Sequence, residues 1–248
     1  MSAAPLPPPA RCLAPRERAL VVGAGGVLGS ALLAEALVAG RFAQVAALVA
    51  APLAATLEGF AALPEAALDA PAAPVADIAF VVLERDRHAN GRDDAFVRPD
   101  PAQLPALAAR LQAAGVRRLV VVVPHAPALL PAALAQGFAS QTEHAVAALD
   151  FEHCVFLRAA QGATPEAGRS GVERLVGWWL SQLRWMIPAP QAAVRTVRLA
   201  QLVVAIGRLL PATAPGTRVL APEQLADAAR EPDENQAEIK LAAALARR

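Results

Sequence analysis

From residue 19 onward the chain alternates short, continuously apolar runs with longer stretches whose apolar residues return every three or four positions. Continuous short runs are the pattern of strands buried on both faces, and the three-to-four spacing is that of helices with one buried face. The pattern predicts strands at Ala19–Val22, Val45–Val49, Ile78–Leu83, Val116–Val123, Cys154–Leu157, Val194–Val197 and Arg218–Leu220. It predicts helices at Val27–Ala39, Pro101–Ala114, Pro131–Leu149, Gly171–Met186, Leu199–Leu210 and Pro222–Arg230, with a short one near Leu53–Phe60. Boundary signals agree with this reading. Gly40 and Gly115 follow two helices as C′ residues, Asp100 and Pro101 open the second of these as N-cap and N1, and Pro124 is expected to stop the strand before it. Residues 51–75, rich in alanine and proline, leave a third strand truncated or lost.

Strands that alternate with helices specify an α/β fold, a doubly wound parallel sheet covered by helices on both faces. No repeat of solenoid length is present. Residues 1–17 read as a Pro-rich disordered leader, 18–158 as the sheet domain, 159–230 as a small C-terminal lobe and 231–248 as a charged tail with at most a loose helix.

Composition narrows the function. Of 248 residues, 56% are hydrophobic, so a full core is available, and the net charge of +1 carries no polybasic block. Neither nucleic acid nor an anionic membrane is implied as a partner. The mean hydropathy of +0.39 comes from alanine and valine spread along the chain, and no uninterrupted apolar run reaches a membrane span of about 18 residues. The first residues hold prolines and arginines where a signal peptide would have an apolar region. Cys12 and Cys154 fit neither a metal spacing nor a disulfide framework, so a reducing, cytoplasmic setting is expected. The chain contains no tyrosine, and its one lysine is Lys240.

Between the first strand and the first helix lies Gly23-Ala-Gly-Gly-Val-Leu-Gly29. Glycines three apart at this junction build a phosphate cradle. The first turns the chain off the strand, the middle ones let backbone N–H groups approach a pyrophosphate, and the last lets helix and strand pack closely. The amides at the helix start then face the anion. The alternative is an ordinary strand-to-helix turn with no ligand.

Three segments together resemble the atypical and extended short-chain dehydrogenase/reductases, in particular their NAD(P)H-binding, NmrA-like group. They are Gly23–Gly29, similar to the family's Gly-x-x-Gly-x-x-Gly; Ala95–Asp100 with the helix and Ala-Gly-Val-Arg-Arg-Leu-Val-Val-Val-Val that follow; and Gln141–Arg158. The resemblance covers about residues 18–225. It implies a Rossmann sheet with a small C-terminal substrate lobe. It also implies that Gly23, Ala24, Gly25, Gly26, Val27, Leu28, Gly29 and Leu83 line a dinucleotide, NADP or NAD. The choice stays open, because no acidic or basic side chain lies between Arg41 and Glu58 to read the ribose, and Ser30 follows the last glycine.

The family's chemistry does not carry over. Its tyrosine and lysine would fall in Gly137-Phe-Ala-Ser-Gln-Thr-Glu-His144, where neither exists, and its serine faces Pro124-His125. A reduction needs a proton donor beside the substrate oxygen. His125, past the strongest strand, is the one candidate substitute; the alternative is a loop histidine in a Pro-rich turn. His144 beside Glu143 reads as a solvated helix residue. His88 and His153 have no metal-ligand spacing, so no metal site is expected. Arg85, Arg87, Arg92 and Arg98 offer an anion contact that Asp86, Asp93 and Asp94 neutralise. Trp178, Trp179 and Trp185 either wall a ligand pocket, meet a partner (another protein or a second copy) or a membrane surface, or pack the small lobe on the sheet domain. Ser140 and Ser170 lack the context of a nucleophile. Three readings follow: a dinucleotide-binding sensor or partner-binding protein without standard catalysis, an oxidoreductase or isomerase with a rebuilt site, and a scaffold that binds no nucleotide.

Overall fold

A computed structural model describes residues 17–40, 42–53, 57–69, 71, 73–84, 93–125, 141–160 and 194–246. Seven strands form one sheet: β1 (Glu17–Val22), β2 (Phe42–Val49), β3 (Phe60–Pro64), β4 (Ile78–Val82), β5 (Arg118–His125), β6 (His153–Ala160) and β7 (Gly216–Leu220). Their order is β3-β2-β1-β4-β5-β6-β7, and every neighbouring pair is parallel. The helices are α1 (Val27–Val38), α2 (Leu104–Ala113), α3 (Gln141–Ala147), α4 (Thr196–Leu209), α5 (Pro222–Ala229) and α6 (Glu234–Ala246). The expected doubly wound Rossmann-type sheet is therefore the architecture.

The two-residue period of the strands sorts their side chains into two cores. Ala19 and Val21 of β1 join Ala47, Phe80, Val120 and Val155 against Leu32 of α1, Val203 of α4 and Leu241 of α6. Leu20 and Val22 join Leu48, Val81, Val121 and Phe156 against Leu107 and Leu111 of α2 and Val146 of α3. Both faces of the central strands are dry, which is why these strands read as unbroken apolar runs. After β3 the chain returns to lay β4 on the other side of β1. That reversal sets the C-terminal ends of β1 and β4 side by side, the place where open α/β sheets hold ligands.

Several expectations are corrected. No helix spans Leu53–Phe60 among the described residues there: 57–59 turn, and Phe60 opens β3, paired to Val45. Gly59 at φ +78° breaks helical geometry, and the third strand is present. β5 does not stop at Pro124 but runs to His125, with Pro124 opposite Ala159 of β6. Leu83 N–H donates to the Val122 carbonyl, so Val122 and, two residues on, Pro124 face the β4 side, where β4 has already ended and no N–H is required. Val194–Val197 forms no strand; α4 starts at Thr196, with Leu199 N–H bonded to the Arg195 carbonyl, because the helical spacing of Leu199, Val203 and Ile206 extends upstream. Glu17 belongs to β1 and pairs with Phe42. The tail is a packed helix, since Leu241 and Leu245 of α6 are fully buried. The expected leader, the helix carrying Trp178, Trp179 and Trp185, residues 131–140 with Ser140, Ser170, and the loop residues Arg85, Asp86, Arg87, His88 and Arg92 lie outside the described residues.

Candidate functional site

β1 delivers the chain to Gly23, whose φ of +88° only glycine adopts readily, and whose missing Cβ would stand 2.5 Å from the Val82 carbonyl oxygen. Gly26 is the N-cap of α1 in extended conformation, and Ser30 N–H closes the first helical bond on its carbonyl at 2.9 Å. At Gly29 a Cβ would lie 1.9 Å from the Gly23 carbonyl oxygen, so the first turn of α1 rests directly on the loop that precedes it. Ala24 and Leu28 are buried, while Gly25 and Val27 are half-buried. Leu83 is buried just past β4. The glycine pattern thus builds a tight turn at the switch point.

The start of α1 has no side-chain cap and no acid in its own first turn. The first-turn amides, which have no partner within the helix, and the positive end of its dipole call for an anion. The chain supplies one from a distance of 56 residues: Glu84 Oε2 accepts the Leu28 N–H at 2.9 Å. A Cβ at Gly26 would stand 2.2 Å from the same oxygen, so the carboxylate sits on the face of the cradle that the middle glycine leaves open. Nothing in the sequence pattern singles out Glu84. The missed signal is an acid two residues past β4, opposite the glycine turn across the switch point.

The rim beside the cradle is also occupied by the chain itself. Ala50 and Ala51 N–H groups, which follow β2, both donate to the Ala95 carbonyl at 2.8 and 3.4 Å, and Val97 N–H donates to the Leu48 carbonyl at 3.0 Å. Val49 and Phe96 form an isolated antiparallel bridge. Pro99 is buried against Gly23, its Cδ 3.3 Å from where a Cβ would be. A dinucleotide is the group that the resemblance implies here. In this arrangement the residues do not fit its pyrophosphate, because the Leu28 amide already holds a carboxylate oxygen, and Glu84 would face a second anion of the same sign. No catalytic step is derived through that group.

Other candidates are dispersed. His125 ends β5, opposite Ala160; its side chain lies outside the described residues. Glu143 of α3 is buried and pairs with Arg158 of β6 at 3.1 Å, tying together the helix and strand that carry the third resembling segment. His144 beside it is exposed. His153 is buried at the start of β6, at the opposite end of the strands from the crevice. Burial holds its imidazole below the ordinary value, against the pull of Glu152, and its Nδ1 has no hydrogen-bond partner. Burial also pushes the Cys154 thiol up to about 12. Lys240 lies on α6, where hydrogen bonds to Glu231 and then Asp227 raise its pKa. Asp94 and Arg98 are exposed. Among the described residues no cluster of His, Cys, Asp and Glu is arranged to hold a metal, and no helix is long and apolar enough to cross a membrane.

No protein-family model matches the chain, and no curated protein matches it. Solved structures do resemble it. MoeE5 in complex with UDP-glucose and NAD is 17% identical at a TM-score of 0.46, covering 86% of this chain and 80% of that one. The Bordetella bronchiseptica enzyme WbmF in complex with NAD+ is 16% identical at a TM-score of 0.40, covering 86% of this chain and 77% of that one. UDP-N-acetylglucosamine 4-epimerase from Bacillus cereus is 12% identical at a TM-score of 0.43, covering 82% of this chain and 75% of that one. At these scores the likeness says nothing of this chain's ligand or chemistry.

Proposed function

We propose that this chain is a nucleotide-type Rossmann protein of short-chain dehydrogenase/reductase descent that works by binding and not by hydride transfer. Its ligand is a nicotinamide dinucleotide, NADP or NAD, and its role is that of a sensor or partner-binding protein. The observation that carries the reading is a pairing of presence and absence. The glycine turn keeps its close Gly23–Gly29 approach at the switch point, while the chain has no tyrosine and its one lysine is engaged on α6. A proton donor tuned by a neighbouring ammonium, which the family's chemistry needs, cannot be assembled from these residues.

The rival is a scaffold that binds no nucleotide, and Glu84 on the Leu28 amide favours it. One titration separates the two. NADH and NADPH are added to millimolar levels, followed by nicotinamide fluorescence and thermal shift, on the wild type and on Glu84→Ala. Saturable binding without cofactor consumption against aldehydes, ketones and quinones is expected. No binding by either protein overturns the proposal. Turnover would replace it with a rebuilt active site, and loss of that turnover in His125→Ala would assign the proton donor.

A further inference from the structure

We infer that Glu84 is an internal occupant of the glycine cradle, a carboxylate that takes the place of the phosphate anion on the first turn of α1, so that anionic ligands bind only as Glu84 leaves. The inference rests on the reading of the crevice as a dinucleotide site. Three observations meet at one point. The α1 N-terminus lacks any local anion or side-chain cap. The Leu28 amide, inside the glycine motif, is bonded to Glu84 Oε2 at 2.9 Å. The open face of Gly26, the glycine whose missing side chain is what admits a ligand, is filled by that same carboxylate at 2.2 Å from the position of a Cβ.

The physical logic is competition for one donor. An amide at a helix start stabilises one anion well, through its hydrogen bond and through the helix dipole. A pyrophosphate seated there would share the donor with a carboxylate of like charge, within a few ångströms and partly shielded from water, where repulsion is strong. Glu84 therefore stabilises the empty protein and weakens the loaded one. Because the side chain reaches from the end of β4 to the start of α1, its departure also releases a tie between the two elements that flank the switch point.

The experiment uses the full-length chain with Glu84→Ala, Glu84→Gln and Glu84→Asp. NADH, NADPH and inorganic pyrophosphate are each titrated, and every variant is first checked by circular dichroism and a thermal melt. Removing the charge should tighten dinucleotide binding roughly tenfold or more, with the gain shrinking in high salt. Glu84→Asp, which keeps the charge, should stay near the wild type. Pyrophosphate should bind Glu84→Ala and not the wild type. If Glu84→Ala does not fold, Glu84→Gln carries the test, since it keeps the shape and loses only the charge. Equal dinucleotide affinity in the wild type, Glu84→Gln and Glu84→Ala overturns the inference and leaves the proposed function standing. Binding of pyrophosphate but no dinucleotide by Glu84→Ala upholds the inference and sinks the proposed function. Failure of all three ligands with every variant overturns both.

Discussion

Gly29→Ala is the sharpest test of the cradle's architecture. In most helices this substitution is favourable, by about 1 kcal/mol of helix propensity. Here the added methyl would stand 1.9 Å from the Gly23 carbonyl oxygen and 2.7 Å from its carbon, both backbone atoms with no rotamer to change. Real contacts begin near 3.0 Å, so α1 must retreat from its own loop by about 1.1 Å. Leu32 and Ala36 would move with it, although both are buried against the sheet. Overpacking against rigid neighbours costs about 3 kcal/mol at the upper end of its usual range. Subtracting the propensity gain leaves a net loss of about 2 kcal/mol, which for a chain of this size lowers Tm by about 4–8 °C. Urea titration and calorimetry read both numbers. Ser30→Ala is the control. Ser30 is exposed one residue further on, with its hydroxyl bonded only locally to the Val27 carbonyl, and should change stability by less than about 0.5 kcal/mol. A Gly29→Ala protein that melts at or above the wild type would refute the close approach of α1 to the Gly23 loop.

Three further outcomes follow from the packing. Glu143 and Arg158 form a buried pair at 3.1 Å, so Glu143→Ala and Arg158→Ala should each cost about 3 kcal/mol, and a double-mutant cycle in urea should show the double variant losing clearly less than their sum. Burial lowers the His153 pKa from 6.5, so the unfolded chain takes up a proton that the folded chain refuses; stability from this group is whole above about pH 6.5 and falls as the pH drops below it. Urea midpoints between about pH 7.5 and 5.5 should show that slope in the wild type and lose it in His153→Phe. With its thiol pushed up to about 12, Cys154 should resist alkylation in the native chain and label on denaturation, as read by peptide mass mapping.

The sheet was legible because its central strands are dry on both faces. Ile78–Val82 and Leu119–Val122 carry no polar residue, and no helix face of that length would do without one. β3 escaped notice because Phe60–Pro64 is short, ends in proline and follows a stretch rich in alanine and proline, so its pairing with β2 supplies what its sequence lacks. The start of α4 departs from its sequence for the opposite reason: β-branched Val194, Thr196 and Val197 suggest a strand, yet among the described residues no strand besides β6 pairs with β7. Propensity yields to packing in both places. Of the candidate site, the glycine turn was legible because each glycine answers a local steric demand. Glu84 was not, since its partner is 56 residues away and charged loops read as solvated.

The packing of α1 against α4 bears on how this chain is made. Leu28, Leu32 and Ala36 of α1 share one cluster with Leu199, Ala200 and Val203 of α4. Some 157 residues separate the end of α1 from the first residue of α4, Val38 from Thr196. At ribosomal rates of about 5–20 residues per second, α1 waits roughly eight to thirty seconds for α4. Until then the α1 residues that meet α4 lack that cover, and the closure of this part of the core waits for α4. A truncation that removes α4 to α6 would take Val203, Ile206, Leu241 and Leu245 out of the cluster that Leu32 shares with the sheet, and would leave a substrate for chaperones and proteases before a domain.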